Sequence, residues 1–152
     1  RRQELLIDTP GLKVVEDFGH HPTALAATLQ SIRARFPGHV VHAAFEPRSN
    51  TSRTKVMQAG FMRALALADE VYLGAIARAD KIKPEDRFDV EALLQFLDSQ
   101  GVHGYTAPTN AALLEQILLQ TQAGSTKRQL VVFFTNGSFD GIIQKFVAAQ
   151  TA

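Results

Sequence analysis

Residues 40–51 read VVHAAFEPRSNT, and this stretch decides the fold. Its first six residues form a nearly continuous apolar run, which is typical of a strand buried on both faces of a parallel sheet. A polar loop follows from Glu46 onward, at the carboxyl end of that strand. Because open α/β sheets bind ligands outside the carboxyl ends of their strands, we expect this loop to be functional.

On both sides of this stretch, strand and helix patterns alternate along the chain. Further strands are predicted at 12–16, 70–73, 102–105 and 130–134, and helices at 22–36, 56–67, 90–97, 109–119 and from 142 onward. A strand at 3–7 precedes the turn sequence DTPG at 8–11, so the first two strands should form a hairpin. The pattern predicts an α/β fold, a three-layer, Rossmann-like, mostly parallel sheet with one antiparallel edge strand.

The composition limits the possible partners. The chain has 152 residues, of which 45% are hydrophobic and 20% are charged, and these values suit one globular domain. Its net charge of +1 gives no electrostatic reason to expect nucleic acid or an anionic membrane as a partner. Cysteine is lacking, which excludes disulfides and thiolate metal sites, and no apolar run approaches the ~20 residues of a membrane-spanning helix.

Four polar loops follow the predicted parallel strands, at residues 17–22, 46–51, 74–78 and 135–140. The carboxyl ends of parallel strands lie at one edge of a sheet, so the four loops should face the same site. Together they offer a carboxylate, two imidazoles, a guanidinium, amides and hydroxyls. This set suits a polar, anionic substrate.

Each of these residues also has an ordinary structural explanation. His20 and His21 are adjacent, which is poor geometry for chelation, and no third ligand is evident, so we expect no metal site. His21 could instead cap the helix that follows it. Arg48 could be a surface charge, residues 136–138 a simple turn, and Asp17 an acid at a helix entry.

Three motifs nevertheless resemble those of the Mur ligases, which are ATP-dependent amide-forming enzymes that assemble the peptide stem of peptidoglycan in the bacterial cytoplasm. Residues 17–23, DFGHHPT, resemble the Asp-Asp-Tyr-Gly-His-His-Pro-Thr signature that opens the C-terminal domain of the family. Residues 45–51, FEPRSNT, look like the corresponding segment of the murein peptide ligase branch, which acts in recycling. Residues 136–142, NGSFDGI, resemble its Asn-Gly-Gly-Phe-Gly-Gly-Ile loop.

The resemblance implies roles for individual residues. Arg2 stands at the family's spacing before Asp17, so Arg2 would contact the ATP phosphates and Asp17 the ribose hydroxyls, with His20 beside the nucleotide. Arg48 resembles the Arg of the Asp-Asn-Pro-Arg motif in the diaminopimelate-adding ligase and would bind a peptide carboxylate. The residues implied in substrate binding are His21, Arg48, Ser49, Asn50, Thr51, Asn136 and Ser138.

Three departures from the family bear on specificity. The alanine-adding ligase carries Gln-Pro-His-Arg-Tyr-Thr-Arg where this chain has EPRSNTS at 46–52, which argues against alanine as the incoming group. Phe18 replaces the commoner Tyr, although murein peptide ligases often have Phe. Ser138 replaces a Gly, which puts in doubt a close approach of the backbone to the ligand at that point.

The chain carries no phosphate-binding loop, since none of its ten glycines precedes a lysine. The resemblance implies that this loop and the Mg²⁺ ligands lie in a central domain outside the chain. We therefore expect residues 1–152 to be a single C-terminal domain, with 1–11 ending the link from the central domain, and to be inactive alone, with no catalytic residue of their own. The implied partners are the N-terminal and central domains, UDP-N-acetylmuramate and the tripeptide L-alanyl-γ-D-glutamyl-meso-diaminopimelate.

Two other functions remain open at this point. The chain could be a stand-alone nucleotide- or peptide-binding α/β module without catalysis. It could also be a small doubly wound enzyme such as a reductase, although no Gly-x-Gly-x-x-Gly motif follows a strand. The sequence leaves open the third residue of the peptide (diaminopimelate or lysine), the acceptance of longer peptides and the oligomeric state.

Overall fold

A single sheet of six strands organises the computed structural model, which describes residues 3–122 and 126–151. The strands are β1 (Glu4–Asp8), β2 (Leu12–Asp17), β3 (Val40–Phe45), β4 (Glu70–Leu73), β5 (His103–Tyr105) and β6 (Gln129–Phe134). Their order is β1-β2-β6-β3-β4-β5, and every neighbouring pair is parallel except the hairpin β1–β2. The predicted fold class is confirmed, and β1 lies inside the segment expected to end an interdomain link.

Six α-helices connect or follow the strands in the described residues. They are α1 (Pro22–Arg35), α2 (Asn50–Arg53), α3 (Gln58–Leu65), α4 (Val90–Ser99), α5 (Asn110–Gln120) and α6 (Ile142–Thr151). None of the helices within 3–122 and 126–151 is long and apolar enough to cross a membrane.

The helix predicted over 56–67 is shorter in the structure, where α3 spans Gln58–Leu65. A further short helix, α2, spans Asn50–Arg53. Ser49 begins α2 through a capping box in which its hydroxyl accepts from the Ser52 amide and the Ser52 hydroxyl accepts from the Ser49 amide. The chain then leaves the helix at Thr54, which is extended and forms a β-bridge with Arg87. Helix α3 starts only at Gln58.

The helices cover both faces of the sheet and enclose two apolar cores. Residues of α1, α3 and α4 pack on one face, and residues of α5 and α6 pack on the other. Strand β6 contributes to both, because Leu130, Val132 and Phe134 belong to the first core whereas Val131 and Phe133 belong to the second. This alternation explains the continuous apolar run of β6, all six residues of which are buried.

The topology creates a crevice above the central strands. Strand β6 leads to α6 on one face, whereas its neighbours β2 and β3 lead to α1 and α3 on the other face. Loops that leave adjacent strands toward opposite faces separate at the carboxyl edge of the sheet, and ligands bind at such points in open α/β folds. The loops after β2, β3 and β6 therefore flank this point.

Away from this crevice, a buried polar network joins three strands. The Nδ1 atom of His42 lies 2.9 Å from the Tyr72 hydroxyl and its Nε2 atom 2.5 Å from Gln129 Oε1. The Tyr72 hydroxyl in turn donates to Glu70 Oε1 over 3.1 Å. Desolvation lowers the pKa of His42 below its ordinary value of 6.5, although the Gln129 hydrogen bond and the Glu70 charge oppose the shift. Burial raises the pKa of Tyr72.

We predict that the stability of the fold falls as the pH decreases below about 6.5, the pKa of an unperturbed histidine. The pKa of His42 is lower in the folded than in the unfolded state, so the unfolded chain takes up the proton first. The stabilisation is therefore complete above the unfolded pKa and is lost as the pH falls toward the folded pKa, with a slope of at most about 1.4 kcal/mol per pH unit.

Urea unfolding of the wild type, His42→Gln and His103→Gln between pH 8 and 5.5 measures this dependence. His103 is the matched control because its side chain is 76% exposed. The slope between pH 6.5 and 5.5 should flatten in His42→Gln and persist in His103→Gln. Equal slopes in all three proteins would contradict the assignment to His42.

Candidate functional site

The loops after β2, β3, β4 and β6 adjoin at the carboxyl edge of the sheet, as predicted. Backbone hydrogen bonds join them: Thr135 N to Asp17 O (3.1 Å), Glu46 N to Phe134 O (3.0 Å), Gly74 N to Phe45 O (2.8 Å) and Ala77 N to Pro47 O (3.1 Å). Main-chain hydrogen bonds therefore fix the relative positions of the four loops. The side chains of these loops then determine which groups the site presents.

The carboxylate of Asp17 is fully buried and holds the loop that follows β2. Its Oδ1 atom accepts from the Gly19 amide over 2.6 Å, and its Oδ2 atom accepts from the Thr28 hydroxyl over 2.9 Å and from the Gln3 amide over 3.2 Å. These bonds tie the residue before β1, the loop and α1 together. The predicted contact with ribose hydroxyls stays a prediction, and Arg2, its expected companion, lies outside the described residues.

The two adjacent histidines lie in the loop after β2 with their rings side by side. Their centroids are 4.7 Å apart, and Nδ1 of His20 lies 3.1 Å from the Phe18 carbonyl oxygen. His21 occupies the N-cap position of α1, but its side chain makes no capping hydrogen bond. The predicted capping position of His21 is therefore confirmed, whereas capping by its imidazole is not observed. Among the residues that the structure describes, no three His, Asp or Glu side chains form a group that could hold a metal ion.

Arg48 lies across Gly137, so the loop after β3 contacts the loop after β6. A Cβ atom added to Gly137 would overlap Nε and Cδ of Arg48. The guanidinium also lies near Glu46, with Nη1 at 4.0 Å from Oε2. The Arg48 side chain is 44% exposed, whereas that of Glu46 is 3% exposed. Arg48 is thus placed by two neighbours while part of its guanidinium faces solvent.

Glu46 is a buried acid that the sequence analysis did not single out. Its Oε1 atom accepts from the Thr135 hydroxyl over 2.5 Å and from the Phe139 amide over 3.0 Å. The Thr135 hydroxyl also accepts from the Gly137 amide over 2.9 Å. The signal for Glu46 in the sequence is its position as an acid directly after an apolar strand. A carboxylate at such a position is buried and needs hydrogen-bond donors.

Asn110, the first residue of α5, is a second buried polar residue that no motif of the sequence indicates. The cap of α5 is Thr109, whose hydroxyl accepts from the Ala112 amide over 3.1 Å. Asn110 instead bridges two loops, since its Oδ1 accepts from the Ala75 amide and its Nδ2 donates to Asp140 Oδ2, both over 2.8 Å. The bridge holds Asp140 at a φ of 53°, a left-handed conformation that is unfavourable for a residue with a side chain.

The remaining predicted substrate residues lie around Arg48. Asn136 and Ser138 are exposed on either side of Gly137. The Ser49 hydroxyl caps α2, and the Thr51 hydroxyl lies 3.1 Å from it. Asn50 begins α2, but its side chain lies outside what the structure describes. The structure thus places Arg48, Ser49, Thr51, Asn136 and Ser138 at one edge, and none of these placements by itself tests substrate binding.

Residues 1–137 match the family described as the Mur ligase, glutamate ligase domain. The chain belongs to this family. Among curated Mur ligases, it is 34% identical over 125 residues to the UDP-N-acetylmuramate–L-alanine ligase of Acidithiobacillus ferrooxidans. The matched region covers 82% of the chain and 26% of that protein. The chain is 30% identical over 148 residues to the UDP-N-acetylmuramate–L-alanyl-γ-D-glutamyl-meso-2,6-diaminoheptandioate ligase of Haemophilus influenzae, which covers 97% of the chain and 30% of that protein.

The chain therefore spans less than a third of the length of these Mur ligases. A solved structure with the same fold is a domain from a Haemophilus ducreyi protein described as a ligase of UDP-N-acetylmuramate and the L-alanyl-γ-D-glutamyl-diaminopimelate tripeptide. The match has a TM-score of 0.69 at 23% identity and covers 97% of this chain and 98% of that one. The near-complete coverage shows that a domain of this extent can be crystallised by itself.

We predict that Gly137→Ala displaces Arg48 with little loss of stability. The added Cβ would overlap Nε and Cδ of Arg48, and a half-exposed side chain can swing into solvent. The free energy of unfolding should change by less than about 1 kcal/mol, while the Nε–Hε resonance of Arg48 should shift clearly in NMR spectra. Gly11→Ala is the control, because nothing lies within 4 Å of its added Cβ. An unmoved Arg48 resonance in Gly137→Ala would contradict the packing described.

We further predict that Asn110→Ala destabilises the fold by about 1–3 kcal/mol, because it leaves the Ala75 amide and the Asp140 carboxylate without their partner. Urea unfolding measures the loss. Asn136→Ala provides the control, since Asn136 is exposed and its replacement should change stability by no more than about 0.5 kcal/mol. Equal effects of the two substitutions would show that the bridge contributes nothing.

Proposed function

We propose that the chain is the C-terminal domain of an ATP-dependent ligase that joins UDP-N-acetylmuramate to L-alanyl-γ-D-glutamyl-meso-diaminopimelate in peptidoglycan recycling in the bacterial cytoplasm. The observation that carries the proposal is the Arg48 guanidinium, placed by Glu46 and Gly137 and partly exposed at the carboxyl edge of the sheet. Family membership supports the ligase chemistry, and the Haemophilus influenzae relative supports the tripeptide.

In this proposal Arg48 binds a carboxylate of the incoming peptide. A guanidinium presents paired N–H donors in a plane and can bind a carboxylate through two parallel hydrogen bonds. The exposed residues Asn136 and Ser138 lie on either side of Gly137 and would add hydrogen bonds to the peptide. His21, Ser49, Asn50 and Thr51 would complete the substrate-binding edge.

The nucleotide would lie near the loop after β2. Arg2 would contact the ATP phosphates, Asp17 the ribose hydroxyls, and His20 would lie beside the nucleotide. The buried bonds of Asp17 support its role in holding this loop more directly than a ribose contact. ATP would supply the phosphoryl group that activates the muramoyl carboxylate, with the phosphate-binding loop and Mg²⁺ in a central domain that precedes residues 1–152. The domain alone would therefore be inactive.

Alanine is the competing substrate, because the Acidithiobacillus ferrooxidans relative is an L-alanine ligase of similar identity to this chain. The loop EPRSNTS at 46–52 favours the tripeptide, since the alanine-adding ligases carry Gln-Pro-His-Arg-Tyr-Thr-Arg there. Arg48 by itself does not decide between the two, since a guanidinium can bind the single carboxylate of alanine as well as one of the several in the tripeptide.

The test compares the kinetics of the Arg48→Ala and Arg48→Lys variants of the full-length ligase with those of the wild type. Loss of a charge-assisted, two-point contact should raise the tripeptide KM by about tenfold to a hundredfold. The KM for ATP should stay within about twofold, and Arg48→Lys should recover only part of the loss because an ammonium cannot form the planar pair. Unchanged tripeptide KM and kcat would remove Arg48 from the site. A wild-type enzyme that ligates alanine and not the tripeptide would refute the proposed substrate.

A further inference from the structure

We propose that Glu46 is a positioning residue whose negative charge orients Arg48, while its hydrogen bonds hold the loop after β6. The consequence for substrate binding rests on the function proposed for Arg48, but the positioning itself does not.

The two carboxylate oxygens of Glu46 have separate tasks. Oε1 accepts from the Thr135 hydroxyl over 2.5 Å and from the Phe139 amide over 3.0 Å. Oε2 faces the Arg48 guanidinium, with Nη1 at 4.0 Å. One oxygen therefore holds the loop after β6, and the other faces the only described cation with which Glu46 forms an ion pair.

These contacts close into a ring. Thr135 donates to Glu46 and accepts from the Gly137 amide over 2.9 Å. Gly137 packs against Nε and Cδ of Arg48, and Nη1 of Arg48 lies 4.0 Å from Oε2 of Glu46. Each member therefore has two neighbours in the ring, and Glu46 is the member that contacts both Arg48 and the loop after β6.

The negative charge matters on one side of the ring only. A neutral amide oxygen can still accept from Thr135 and Phe139, although these bonds are weaker than those to a carboxylate. Toward Arg48, the amide group of a glutamine would present N–H donors to a cation, which repel it. The side chain of Glu46 is 3% exposed, so its charge is poorly screened, whereas the 44% exposure of Arg48 leaves part of its guanidinium available to a ligand.

This arrangement allows two substitutions to separate the two tasks. Glu46→Gln should keep the loop after β6 and release Arg48, and Thr135→Val should keep the Glu46–Arg48 contact and release the Gly137 amide. The first test is NMR on the 152-residue chain, which reads the Nε–Hε resonance of Arg48 and the amides of Gly137 and Phe139. Glu91→Gln, on the exposed face of α4, is the matched control for the loss of one charge.

In Glu46→Gln we expect a shifted Arg48 Nε–Hε resonance with the Phe139 amide near its wild-type position. In Thr135→Val we expect the Gly137 amide to shift. An Arg48 resonance that is the same in Glu46→Gln, Glu91→Gln and the wild type overturns the inference, whatever the ligase is found to join.

The second test is a double-mutant cycle in the full-length ligase. Glu46→Gln should raise the tripeptide KM by about threefold to tenfold, because Arg48 loses the charge that orients it and this ion pair is partly screened by solvent. The KM for ATP should stay unchanged. In an Arg48→Ala background the same substitution should have no further effect. An equal effect in both backgrounds would show that Glu46 does not act through Arg48. Absence of tripeptide ligation by the wild type would refute the proposed function, and the NMR test would still decide the positioning.

Discussion

The insertion of β6 between β2 and β3 is the constraint on which the rest of the structure depends. This strand pairs in parallel on both sides, and its side chains alternate between the two cores. Since the chain must return to the middle of the sheet at residues 129–134, the loops after β2, β3 and β6 end beside one another. The site is therefore a consequence of strand order, and the polar motifs only supply its chemistry.

Buried polar side chains then fix the loops at this edge, because an unpaired polar group in such a place is costly. Glu46 holds the loop after β6 from β3, and Asn110 holds it from the start of α5. The left-handed backbone at 139–141 is kept in place by these bonds. Above this base, Arg48, Asn136 and Ser138 project toward solvent. Exposed polar groups on a rigid base are suited to binding, since little ordering is left for the ligand to impose.

The sequence predicts the fold better than it predicts the contacts of the site. The strands at 40–45 and 70–73 were predicted to the residue, because buried parallel strands are continuous apolar runs. The helices between residues 50 and 65 were mispredicted, because a serine in place of the usual Glu or Gln closes the capping box of α2. Glu46 and Asn110 were missed because their partners lie far along the chain, at separations of 89 and 93 residues for Glu46 and 35 and 30 for Asn110. The burial of Asp17 was equally invisible in the local sequence.

The position of β6 also sets the order in which the sheet can be assembled. Without residues 129–134, β2 and β3 have no partner in common, and the other described strands form two separate units, the β1–β2 hairpin and β3–β4–β5. Joining them requires the closure of long loops before any of the central parallel pairs form, and such topologies fold slowly. Until that step is complete, the edges of β2 and β3 with which β6 pairs stay without a partner strand. Unpaired strand edges of this kind favour intermolecular pairing, so the docking of β6 is the step that closes the sheet against other chains.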